Sequence, residues 1–206
     1  MRFSRTLASA LALSLAAPAA LAHDADPRFA AFVEACFGAG ARPSVAAVIE
    51  TALGLGWVEV ERSADPELES LMQRGDEAMA EAPDEDDVAI ESFDNRLFAR
   101  EIEGAPFYLV LTEVASAFGN LAGCYLYDFA ADAAPDFAPM SEVLGGEPYQ
   151  TADEAGTLTA AAWALPSAFP GVLEVGATFI PAGSAFAAET GFDGVSFLAR
   201  WSPATP

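Results

Sequence analysis

The chain has 206 residues and a formal net charge of −22, and all nine of its basic residues are arginine. A surface this acidic repels phosphate backbones and anionic headgroups, which excludes nucleic acid and anionic membrane surfaces as partners. It favours a basic protein or a cationic ligand, although such acidity also serves solubility alone in many exported proteins.

The first 22 residues have the pattern of a cleaved secretory signal peptide. Arg2 and Arg5 give a positive start, residues 7–17 are apolar and uncharged, and Ala20-Leu21-Ala22 supplies the small residues of a cleavage site. The apolar run is too short for a good membrane anchor. We therefore expect residues 23–206 to form one exported globular domain, periplasmic or extracellular, that does not insert into a membrane after cleavage.

Two cysteines, Cys36 and Cys124, are expected to form a disulfide, because exported chains with an even number of cysteines usually pair them. The alternative is two buried thiols. Cys36 lies on the apolar stripe of a predicted helix over residues 27–37, for which Asp26 is a suitable N-cap. The disulfide would hold this helix against one face of a sheet.

The segment between the two cysteines predicts two further helices and a series of strands. One helix is expected from Ser44 to Leu53 and another from Asp65-Pro66, with a strand over residues 57–61 between them that turns Val58 and Val60 inward. Residues 88–93 and 97–103 then read as two strands joined around Asp94-Asn95.

A hairpin of residues 107–114 and 121–129 is predicted at the centre of the core, because both runs are strongly apolar and Gly119-Asn120 lies between them. Side chains alternate along a strand, so two sets in the second run face opposite sides. The inner set is Ala122, Cys124 and Leu126, and the outer set is Tyr125, Tyr127 and Phe129.

The C-terminal third predicts a short helix over 139–144 and then a longer one over 152–163, because Thr151 and Glu154 form a capping-box pattern. Two last strands, 172–180 and 195–201, follow, with a loop or an irregular strand between them. The whole pattern predicts an α+β fold: a single domain with a mainly antiparallel sheet of about six strands and helices packed on one face.

Few catalytic chemistries fit this composition. The one histidine, His23, would be the mature N-terminus, which disfavours Ser–His–Asp catalysis, and no cluster has the ligand spacing of a zinc site. A cofactor is therefore not expected, with calcium as the one option. The acidic turn Asp84, Glu85, Asp86 and Asp87 offers carboxylates to Ca²⁺, but its spacing does not match an EF-hand, and a solvated turn explains it equally.

By elimination, the sequence favours a non-catalytic binding or accessory protein stabilised by one disulfide, and leaves its ligand and oligomeric state open. The alternative is a carboxylate-based hydrolase of polysaccharide or cell-wall material, which needs an aromatic-lined cleft and two acids of unlike environment. Candidate lining residues are Tyr125, Tyr127, Trp163 and Trp201, each of which could also belong to the core. A small-molecule carrier with a pocket between sheet and helices is a third option.

Overall fold

The computed structural model describes residues 26–38, 40, 43–81, 90–116 and 119–203. The predicted signal peptide, His23 and the predicted calcium ligands Asp84, Glu85, Asp86 and Asp87 lie outside these residues. The elements in chain order are α1 Pro27–Phe37, α2 Val45–Gly54, β1 Val58–Glu59, a 3₁₀ turn Arg62–Ala64, α3 Pro66–Glu81, β2 Ile90–Ile102, β3 Ala105–Ser116, β4 Gly119–Asp128, α4 Phe137–Leu144, β5 Gln150–Glu154, β6 Leu158–Ala164, β7 Val172–Ile180, α5 Ala185–Thr190 and β8 Gly194–Trp201. No helix among them is long and apolar enough to span a membrane.

The strands form one antiparallel sheet in the order β1-β2-β3-β4-β8-β7-β6-β5. The sheet therefore consists of two four-stranded meanders, β1–β4 and β5–β8, joined where the last strand of each pairs with the other. The α+β class and the antiparallel sheet are confirmed, but the sheet has eight strands where the sequence predicted about six.

One difference from the prediction concerns the position of a turn near β2. The strand pair predicted around Asp94-Asn95 is wrong, because β2 runs unbroken through both residues and pairs with β3 along its length. The chain turns instead at Glu103 and Gly104, whose φ angles of 53° and 85° suit a tight two-residue hairpin. Asp94 is exposed and Asn95 half-buried, so a strand near the sheet edge accommodates both.

The helix predicted over residues 152–163 is also wrong. This segment forms the β5–β6 hairpin, which turns where Gly156 adopts a φ of 74°. β6 pairs with β7 and buries Ala161 and Trp163, so sheet pairing and burial override the capping-box pattern and the helical propensity of alanine. Between the last two strands, where a loop or strand was expected, lies the short helix α5.

The main core lies on the sheet face that carries Cys124, here called the first face. Helices α1, α2 and α4 pack on it, and the predicted disulfide Cys36–Cys124 is present, with an S–S distance of 1.97 Å. On the last strand, the alternating residues Val195, Phe197, Ala199 and Trp201 are all fully buried on this face.

The orientation predicted for the strand over residues 57–61 is wrong for Val58, whereas Val60 is half-buried and packs against the core of the opposite face. Trp57 is buried in the main core, whereas Val58 is 63% exposed. Strand β1 is only two residues long and lies at the sheet edge, so its side chains gain little from facing inward.

A second, smaller core lies on the opposite, second face, so the helices are not confined to one face as predicted. Leu68 and Met72 of α3 pack there against Leu97, Tyr108 and Val110. Strand β3 is apolar on both faces, and each face therefore needs its own cover.

Candidate binding surface

Within the part of the chain that the structure describes, only one end of the second face is covered. At that end α3 packs over Tyr108, and Phe192, just after α5, packs against the rings of Tyr127 and Phe129 at centroid distances of 5.5 and 5.8 Å. Arg74 of α3 donates from Nη1 to the Glu189 carbonyl at 3.2 Å, which joins the two covering segments. At the opposite end of this face the described side chains are half-buried or exposed.

The open end begins with a row of apolar side chains. Phe93 of β2 lies opposite Val114 of β3, and Val114 lies opposite Leu121 of β4. Phe93 is 40% exposed, Leu121 is 38% exposed, and Val114 is half-buried between them. These three residues, which we call the apolar row, form a continuous strip across three strands. A contiguous exposed apolar strip is one of the features by which interaction surfaces are recognised.

Next to the apolar row, the Tyr125 side chain lies over the backbone of Gly123. A Cβ added to Gly123 would be 2.6 Å from the Tyr125 ring and 2.6 Å from Thr112 Oγ1. The rings of Tyr125 and Tyr127 are nearly parallel, with centroids 6.3 Å apart. Glycine at 123 therefore allows Tyr125 to lie close to the sheet, and the open end stays shallow.

Beyond Gly123, the open end carries a polar group on β7 and β8. Arg200 forms an ion pair with Glu174 (Nη1–Oε2 3.3 Å), and the Tyr149 hydroxyl donates to Glu174 Oε1 at 3.0 Å. The pKa of Tyr149 is raised by this hydrogen bond. Because Arg200 and Glu174 neutralise each other, this group adds polarity but little net charge.

On the first face, at the same end of the sheet, two acids lie side by side. Asp94 of β2 lies directly opposite Glu113 of β3, and like charges in that position destabilise a sheet. Among the described residues, no arginine forms an ion pair with either acid. The same end of the sheet thus combines an apolar row on one face with two adjacent carboxylates on the other, and Arg96, two residues along β2, interacts electrostatically with Asp94.

The outer edge of β2 lies next to both the apolar row and the Asp94–Glu113 pair. β1 pairs only with Ala99 and Phe98, and Val60 N–H then donates to the Leu97 carbonyl at 2.9 Å. A pocket of about 510 Å³ opens where β1 leaves β2; it is lined by Glu59, Val60, Glu61, Arg62, Asn95, Arg96 and Leu97. Asn95 Oδ1 is buried there and has no hydrogen-bond partner among the described residues.

Two neighbouring acids of unlike environment, Asp65 and Glu67, lie at the covered end. Asp65 Oδ2 accepts from the Tyr108 hydroxyl at 3.0 Å, while Oδ1 accepts from the backbone N–H of Glu67 and Leu68 at 2.8 and 3.2 Å. Burial, and next the charges of Asp65 and Asp193, raise the pKa of Glu67. Both oxygens of Asp65 are therefore engaged in capping α3 and anchoring Tyr108.

The predicted site residues fall into three groups. Tyr125 and Tyr127 lie on the second face, whereas Trp163 and Trp201 are buried in the main core, where their indole N–H groups donate to Ser141 Oγ and the Pro43 carbonyl. The predicted calcium ligands are outside the described residues, and within those residues no cluster of three or more acids, histidines or cysteines could hold a metal ion.

Sequence reasoning missed the apolar row and the outer edge of β2. The turn predicted at Asp94-Asn95 split the alternation of Phe93, Asn95 and Leu97, which is the signal that could have identified the edge strand. Comparisons of this chain with protein-family models, curated proteins and solved structures found no match.

Proposed function

We propose that this chain is an exported, non-catalytic binding protein that holds a basic protein partner against the open end of the second face. The observation that carries this proposal is the apolar row Phe93, Val114 and Leu121, which lies on the half of the face that α3 and α5 leave uncovered. Burying such a row in an interface is favourable by about 25 cal/mol for each Å² of apolar surface removed from water.

Charge supports a basic partner over a neutral one. The whole chain carries −22, and the acids Asp94 and Glu113 lie opposite each other on the first face, at the same end of the sheet as the apolar row. A cationic side chain placed near them would relieve their repulsion, and the long-range field would speed the encounter of the two proteins. The same field would repel a second copy of this chain.

Support for export comes from the disulfide and from the pattern of the first 22 residues. Disulfides form and persist in oxidising compartments such as the periplasm and the cell exterior. The cleavage pattern after Ala22 is the independent sequence argument for the same destination.

No observation favours the hydrolase alternative to the same degree. Its acids would be Asp65 and Glu67, but Asp65 is fully occupied as a helix cap and hydrogen-bond acceptor. Two of the aromatic residues considered as a cleft lining, Trp163 and Trp201, are core residues. The arrangement therefore serves the stability of α3 more directly than it serves catalysis.

Site-specific photo-crosslinking tests the proposal. A benzophenone amino acid replaces Leu121 in the protein expressed in its own host, and crosslinked products are identified by mass spectrometry. We expect one predominant basic protein, whose recovery falls as salt is raised because screening weakens the attraction.

The matched control is the same probe at Leu53, an exposed leucine on α2 at the opposite side of the sheet. A partner captured equally from both positions, or a Leu121 partner that is acidic, would contradict the proposal. Phe93→Ser should reduce crosslinking at Leu121, since it shortens the same apolar row.

A further inference from the structure

The geometry of β2 points to a specific mode of binding: we propose that an extended peptide segment of the basic partner adds to the sheet as a strand along the outer edge of β2, with apolar and basic side chains alternating. This inference rests on the proposed function and names the chemistry of the partner segment at that site.

The outer edge of β2 has backbone N–H and C=O groups that an added strand could pair with. The Leu97 carbonyl points outward, because it accepts a hydrogen bond from Val60 N–H. Alternate residues of an antiparallel strand direct their N–H and C=O groups to the same side, so Asn95 and Phe93 also direct theirs outward. Among the described residues, no backbone group pairs with these two on that side. Unpaired groups of this kind form a template for another strand.

The side chains of β2 specify what the added strand should carry. The side chains of Phe93 and Leu97 lie on the second face, where Phe93 begins the apolar row. The side chain of Asp94 lies on the first face, opposite Glu113. A residue beside Phe93 would extend the apolar row by one strand, and a residue beside Asp94 would meet two carboxylates. The complementary segment therefore alternates an apolar residue with a basic one.

The other edge of the sheet does not offer this combination. β5 has only five residues, Gln150–Glu154, and none of them has a large apolar side chain. Of its two acids, Asp153 lies opposite Thr159 and Glu154 opposite Leu158, so neither lies opposite another acid. β5 is therefore a suitable internal comparison, because it is an acidic edge strand without an apolar row.

The test uses an eight-residue peptide of alternating valine and arginine with both termini capped. Its affinity for the purified protein is measured by isothermal titration, alongside a peptide of the same sequence N-methylated at every second residue. N-methylation leaves charge unchanged and removes hydrogen bonds to the β2 edge. We expect at least a tenfold weaker affinity for the methylated peptide, which corresponds to about 1.4 kcal/mol.

Hydrogen exchange locates the peptide. The amides of Phe93 and Asn95 should become protected when the unmodified peptide binds, while those of Asp94 and Arg96, already directed at β3, should change little. Asp94→Asn should weaken binding several-fold, and Asp153→Asn on β5 should have little effect.

Equal affinity of the two peptides, protection at β5 in place of β2, or no binding at all would overturn strand addition. None of these outcomes decides whether a basic protein crosslinks at Leu121, so a failure of strand addition is distinguishable from a failure of the proposed function.

Discussion

Arg28, in the first turn of α1, forms an ion pair with Asp128, the last residue of β4, with Nη1 and Oδ2 3.3 Å apart. Arg28 also binds Asp26, the N-cap of the same helix, at 2.8 Å. The opposite end of α1 carries Cys36, which is bonded to Cys124 on the same strand. Both ends of the helix are therefore fixed to β4, one by charge and one covalently.

Replacing Arg28 should destabilise the protein substantially. The Asp128 side chain is only 8% exposed, so Arg28→Gln leaves a nearly buried carboxylate without its cation. We expect a loss of about 1–3 kcal/mol in the free energy of unfolding, below the cost of breaking a fully buried pair because Arg28 retains some solvent contact. Urea unfolding measures it.

Arg62→Gln is the matched control for that change. Arg62 pairs with Asp76 at 2.8 Å, but both side chains are about half exposed, so its loss should cost under about 1 kcal/mol. Equal effects of the two substitutions would show that Arg28 contributes no more than a surface charge.

Removing the disulfide should cost more than either ion pair. The cysteines are 88 residues apart, and closing a loop of this length is worth about 4–5 kcal/mol in the loop-entropy model. The double variant Cys36→Ala, Cys124→Ala should show this loss in urea unfolding. The unreduced parent should be two hydrogens lighter than its reduced form and resist alkylation; two reactive thiols would contradict the bond.

The hydrogen bond from Tyr108 to Asp65 should make stability depend on pH at the alkaline end. Burial, and secondly this hydrogen bond, raise the pKa of Tyr108 to about 12. The folded protein thus keeps the phenol proton where the unfolded chain, with an ordinary pKa near 10, loses it. The contribution is fully present below about pH 10 and is lost as the pH rises towards 12.

Tyr108→Phe should therefore lower stability by about 1–2 kcal/mol at pH 8, with a smaller difference from the parent at pH 11. Urea unfolding at both pH values provides the comparison. Tyr149→Phe, which removes a similar bond from an exposed tyrosine to Glu174, should have a smaller effect. A parent–variant difference that did not shrink with pH would exclude this linkage.

Glu67 should have the opposite effect on stability at neutral pH. Burial, Asp65 and Asp193 raise its pKa, so ionisation of Glu67 costs more in the folded protein than in the unfolded chain. Because Glu67 is exposed and its charge also lies in the first turn of α3, Glu67→Gln should raise the melting temperature at pH 7 only slightly, and this gain should disappear as the pH falls below the ordinary glutamate value near 4.3.

Glu69, also in the first turn of α3, is the matched control for Glu67. It is exposed, and replacing it by glutamine removes a charge that is favourable near a helix N-terminus, so a slight decrease in melting temperature is expected. A decrease for both variants would rule out the proposed cost of ionising Glu67 in the folded protein.

The elements predicted well from sequence are those whose pattern is local and unambiguous. Helix α1 has a full apolar stripe with Asp26 before it, and β8 alternates from Val195 to Trp201. The segment 152–163 failed because alanine and threonine fit either state, and the decision came from β7, a strand that follows it in sequence.

The candidate surface could not be predicted because it depends on register between strands. Phe93, Val114 and Leu121 are neighbours only because β2, β3 and β4 pair with that alignment. A shift of one residue would turn Phe93 to the other face. The disulfide, in contrast, needed only the presence of two cysteines in a chain with a signal-peptide pattern.

The position of β8 has a consequence for how the chain folds. β8 is the last strand in sequence but lies between β4 and β7, at the junction of the two meanders. Each meander can form from neighbouring hairpins, whereas the junction pairs β4 with β8, two strands that are far apart in sequence. Such non-local closure is slow, typically milliseconds to seconds in sheet-rich domains.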